Sequence, residues 1–141
     1  MTQSIQNHEN LFVNAFISNK QKQRISYLLK SKKGRQKIKA LLPHSLEFDS
    51  KSIHKIPDNK QTAENIYALL VSKNAPDICY LISEHTSFDG KIMQLEEALN
   101  KIVGSGVATI ISCIPGELAY YEGEDLKNRL ILTHIKASSL S

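Results

Sequence analysis

The chain has 141 residues, 41% of them hydrophobic and 23% charged, with no tryptophan; one domain with one core is expected, and a disordered or fibrous chain is excluded. The opening MTQSIQNHEN is polar, and apolar runs such as ALLV fall far short of a signal-peptide core or a membrane span, so a cytoplasmic protein without membrane contact is expected. The net charge of +4 hides two unlike halves: residues 1–60 carry 12 Lys and Arg against 4 Asp and Glu, and residues 61–141 carry 6 against 10, which bears on partners and on head-to-tail contact in a homo-oligomer, not on fold.

Phe12 and Phe16, then Ile25, Leu28 and Leu29, then Ile38, Leu41 and Leu42 recur at helical spacing. They predict two or three amphipathic helices over residues 1–42, separated near 18 and 31–34. Ser18 with Gln21 matches a capping box, Ser31 suits a second cap, and Pro43 disfavours helix at Leu42. Residues 43–60 keep no period and read as a connector, with a short strand over 53–56. The next helix opens on Thr62 as N-cap, presents Ile66, Leu69 and Leu70 on one face, and stops at Asn74 ahead of Pro76.

From Asp77 the texture changes to short β-type runs, DICYLIS, VATIISCI, ELAYYE and RLILTHI. Between the first two, Leu95, Ala98, Leu99 and Ile102 form a helical stripe that ends at Gly104. The order β-α-β-β-β predicts an α+β domain with a mixed or antiparallel sheet and helices on one face. Its parts are a basic helical region over 1–42, the connector over 43–60, an α+β core over 61–135 and a tail over 136–141. If the first two strands are parallel neighbours, a right-handed helical crossover joins them, and the last three follow closely enough to pair as a meander.

Cys113 ends a run that is apolar on both alternating faces, as an inner strand requires, and a free thiol there reads as core. Pro115 and Gly116 suit a type II turn, which tight hairpins disfavour, so this link is expected to be wide or bulged. A catalytic reading of Cys113 needs a base and an orienting group. His85 and Glu84 of SEHTSFDG supply them if the two strands are parallel, but no nearby cation favours the thiolate, and Glu117 and Glu122 oppose it. Cys79 and Cys113 lack zinc-type spacing and are read as reduced thiols.

The run KSKKGRQKIK has six basic residues in ten and no acid. Lys30, Lys33, Arg35 and Lys37 are its phosphate-binding candidates, weighed against a merely solvated helix face, and a loose helix-turn-helix can be drawn around SKKG. GSG at 104–106 follows a helix rather than a strand, so no phosphate loop and no cofactor is expected. Histidines 8, 44, 54, 85 and 134 make no helical pair, and no metal site is expected. YYEGED places Tyr120, Tyr121, Glu122, Glu124 and Asp125 at a hairpin tip, a surface suited to a protein partner.

The leading sequence-level reading is a non-enzymatic binding or regulatory module acting through protein contact, by a sheet edge or this tip. The alternative is a nucleic-acid binder using basic helices over 20–39, and the third reading is a cysteine-dependent enzyme at Cys113 and His85.

Overall fold

The computed structural model describes residues 2–43, 45–123 and 129–134; His44, Glu124, Asp125 and the tail over 136–141 lie outside the described residues. The N-terminal region forms three helices, α1 (Thr2–Phe16), α2 (Lys22–Leu28) and α3 (Lys32–Leu41). Ser31 is extended and its hydroxyl accepts the Gly34 N–H at 3.0 Å, so α3 starts on the expected cap. The expected capping box at Ser18 does not form. The Ser18 hydroxyl faces Glu47 at 3.4 Å, and the Gln21 side chain is committed to the Ser45 carbonyl and the Glu47 N–H, so neither side chain is left for the helix end.

Helix α4 (Ala63–Ser72) opens on the Thr62 hydroxyl, which accepts the Asn65 N–H at 3.2 Å. It closes with Asn74 in the left-handed region, φ 74°, the Ala75 N–H donating to Leu70 and the Asn74 N–H to Val71. This is a Schellman end, with Asn in the place glycine commonly takes, and Pro76 then prevents continuation.

Among the described residues six strands follow the order β1-β6-β5-β4-β2-β3 across one sheet, and every neighbouring pair is antiparallel. They are β1 (Ile53–Lys55), β2 (Ile78–Ser83), β3 (Ile92–Gln94), β4 (Thr109–Ile114), β5 (Leu118–Glu122) and β6 (Arg129–Thr133). Strands β2 and β4 are neighbours, but antiparallel rather than parallel. The reason is β3, which the sequence did not announce. It carries the chain back beside β2, so helix α5 (Leu95–Ile102) begins where β2 began and delivers β4 in the opposite sense.

Between β4 and β5 the Glu117 N–H closes onto the Ile114 carbonyl at 2.9 Å, with Gly116 at φ 72°. That is the type II turn for which Pro115 and Gly116 are suited. The register shifts between Ser112 and Ile114, making Cys113 the extra residue of a bulge that fits this turn to the ladder.

Helices α4 and α5 share one face, over Cys79, Leu81, Ile111, Cys113, Leu118, Tyr120 and Ile131. The expectation of a single covered face stops there, because α1, α2 and α3 cover the other, over Tyr80, Ile82, Ile110, Ala119, Tyr121 and Leu132. Strands β4 and β5 are apolar on both sides and so demand two covers. Helix α1 packs on β4, α2 on α1 and α3 on α2.

Candidate nucleic-acid interface

Helices α2 and α3 make a hairpin through the three residues 29–31. A Cβ at Gly34 would lie 2.0 Å from the Leu28 carbonyl oxygen, so the two backbones touch where only glycine fits. From residue 11 to residue 46 the chain has nine Lys and Arg and no Asp or Glu. Six of these, Lys20, Arg24, Lys30, Lys32, Lys33 and Lys37, are exposed, and none is ion-paired among the described residues. Tyr27, on the same hairpin, is 75% exposed.

Arg35 belongs to a different structure. Its guanidinium donates to the Glu9 carboxylate through Nη1 and to Asp89 through Nη2 at 2.9 Å and Nε at 3.4 Å. The Tyr80 hydroxyl donates to Glu9 Oε2 at 2.5 Å, and Asp89 Oδ1 also accepts the Ser83 N–H at 3.1 Å. Lys39 Nζ stands 3.9 Å from Asp89 Oδ2. Arg35 is therefore separated from Lys30, Lys33 and Lys37, with which the sequence grouped it: its charge is committed to two carboxylates and joins α1, α3, β2 and the loop after β2. Beside this group the His8 ring lies 5.5 Å from Tyr80, and His8 Nδ1 is 2.7 Å from Ser112 Oγ. Burial holds the His8 imidazole below its usual range.

Cys113 and His85 do not meet. Antiparallel pairing sets Ser83, two residues before His85, against Thr109 at the start of β4, whereas Cys113 lies at the other end. Cys113 is buried, its thiol pushed up by burial and by Cys79. Glu84 accepts the Ala108 N–H at 2.6 Å and ties the loop after β2 to the chain entering β4, while His85 Nδ1 accepts the Ser87 N–H at 3.1 Å within its own loop.

Tyr120, Tyr121 and Glu122 are 0%, 4% and 1% exposed, which corrects their placement on a surface tip. They lie in a central strand covered on both faces. Tyr121 donates to the Leu42 carbonyl, while the Tyr120 hydroxyl donates to Glu122 Oε1 at 2.7 Å. The register lines up Ser83, Thr109, Glu122 and Arg129 as a buried polar row across four strands. Glu122 accepts the Gly104 N–H at 3.0 Å and stands 3.4 Å from Arg129 Nε, while Arg129 Nη1 donates to the Gln61 carbonyl at 3.0 Å. Burial pushes the Glu122 carboxyl up, opposed by the Tyr120 hydrogen bond and the Arg129 charge. The row was missed because Ser83, Thr109 and Arg129 lie at the ends of three different strand runs and Glu122 reads as part of a hairpin tip, so only the register of the sheet shows them to be neighbours.

At the far end of the sheet a cleft of about 600 Å³ opens between the end of α4 and the β4–β5 turn, lined by His54, Lys73, Glu117, Leu118, Thr133 and His134 among others. His54 Nε2 lies 2.7 Å from Thr133 Oγ1. Its walls carry both signs of charge, and among the described residues no cluster of three His, Cys, Asp or Glu is placed to hold a metal ion. No helix of the described residues is long and apolar enough to cross a membrane. No family model, curated protein or solved structure matches the chain.

Proposed function

We propose that this chain is a nucleic-acid-binding module that works through the α2–α3 hairpin. The observation that carries the reading is five exposed cations, Arg24, Lys30, Lys32, Lys33 and Lys37, unpaired among the described residues, on a hairpin drawn from a stretch without a single acid. Cations left unpaired beside one another repel, and phosphates relieve that repulsion while releasing counterions. The protein-contact reading loses its anchor, since the side chains named for it are buried in the sheet.

The test is fluorescence anisotropy with a mixed-sequence oligonucleotide at low and at raised salt. Wild type binds at low salt and weakens steeply as salt rises. Replacing Lys30, Lys33 and Lys37 by Gln leaves the fold intact, because all three are exposed and Gln is nearly as good a helix former as Lys. It flattens the salt slope by up to about 0.9 log unit per lost duplex contact. No wild-type binding at low salt rejects the proposal.

A further inference from the structure

The exposed surface of α3 has an order that charge alone does not require. Gly34 and Ile38 face the protein, and Arg35 and Lys39 point along the flank held by Asp89. The remaining arc carries Lys32, Lys33, Gln36, Lys37 and Ala40, all exposed. At about 100° per residue, Gln36 and Ala40 occupy the middle of that arc, Lys32 lies on one side, and Lys33 and Lys37 lie on the other. Two uncharged side chains are thus bordered on both sides by long cations.

From this arrangement we infer that α3 is a groove-reading helix for B-form duplex DNA, an inference that rests on the nucleic-acid reading above. A helix about 10–12 Å across fits a major groove about 12 Å wide. There the outermost residues approach base edges while the flanking residues reach the two phosphate walls. Gln36 carries the amide that can pair with adenine through N6 and N7, and Ala40 offers a methyl to thymine. Lys32 on one side and Lys33 and Lys37 on the other meet the opposite walls. The ten residues of α3 extend about 15 Å, long enough to lie in the groove. The hairpin gives the helix a fixed support, because α2 touches it at Gly34 and Arg35 fixes its inner flank. An A-form RNA duplex does not suit this helix, since its major groove is too deep and narrow for side chains to read.

Four probes of one mixed sequence test the inference: a DNA duplex, its single strand, an RNA duplex, and a DNA duplex whose purines are all 7-deaza analogues. The last removes the N7 acceptors of the major groove and leaves the phosphates unchanged. The DNA duplex is expected to bind tightest, and the 7-deaza duplex to bind about fivefold or more weaker, the lower end of what one good bidentate base contact provides. Gln36→Ala is expected to abolish the difference between the two DNA duplexes while keeping the salt slope of wild type. Equal affinity for the two DNA duplexes, or single-strand or RNA binding as tight as DNA duplex, overturns groove reading and leaves nucleic-acid binding standing. Absence of binding to all four at low salt overturns both.

Discussion

Gly34→Ala sets two physical rules against each other. In a helix interior alanine is favoured over glycine by about 1 kcal/mol, so local propensity expects a more stable protein. The structure expects the reverse. The added Cβ would meet three main-chain atoms of Leu28, its oxygen at 2.0 Å and its carbonyl carbon and Cα at 2.7 Å, where real Cβ contacts essentially never fall below 3.0 Å. None of these atoms can swing aside as a flexible side chain would. Helices α2 and α3 must separate by about 1 Å, which loosens Ile25, Leu28 and Ile38 in the core beneath them. Overpacking of this kind costs about 1–3 kcal/mol, and contact with main-chain atoms puts it in the upper part of that range, about 2–3 kcal/mol. After the propensity gain, a net loss of about 1–2 kcal/mol remains, a fall in Tm of roughly 3–8 °C for a chain of this size. Urea denaturation and thermal melting would measure it, with Lys33→Ala on the exposed side of the same helix as a control expected to stay within about 0.5 kcal/mol. A Gly34→Ala protein as stable as wild type, or more stable, would refute the argument that the hairpin depends on backbone contact at this position.

Two further outcomes follow from burial. Folding favours the neutral His8 ring, so between its lowered folded value and the ordinary 6.5 the unfolded chain binds more protons. His8 therefore contributes stability above pH 6.5 that is lost as the pH falls; His8→Gln should flatten the decline in urea midpoint between pH 7 and pH 5, and equal slopes would contradict the sign. Burial pushes the Cys79 thiol up to about 12 and raises Cys113 as well, so native-state alkylation at pH 8 should be slow at both and indifferent to His85→Ala. Rapid labelling of Cys113 that disappears in His85→Ala would restore the enzyme reading.

What the sequence disclosed was chemistry that acts over a few residues. Ser31, Thr62, Asn74 and the pair Pro115 and Gly116 each settle a local backbone conformation, and each is found where its side chain or ring requires. Strand β3 was hidden because three residues running straight into a helix show no alternation. Arg35 was hidden differently: nothing nearby distinguishes it from its lysine neighbours, and its role is decided by Glu9, 26 positions earlier, and Asp89, 54 positions later. Glu122 sits between a tyrosine and a glycine and reads as a turn, yet Arg129 across the ladder and the Gly104 N–H make its burial tolerable. The two-sided apolar character of β4 did carry the information that both faces are covered; expecting helices on one face alone failed to use it.

Among the described residues the two outermost strands, β1 and β3, are each three residues long, well below the usual strand length. A stray chain seeking to add a seventh strand therefore finds only a short row of free backbone groups on either side. On one side Pro57, soon after β1, offers no N–H, and on the other β3 passes at once into α5. The segments most inclined to stack with copies of themselves, ICYLIS and TIISCI, are held inside the sheet, paired on both sides. The arrangement resists templated growth from the sheet margins. On the nucleic-acid reading proposed above, a polyanion that gathers many copies would thus raise their local concentration without joining their sheets.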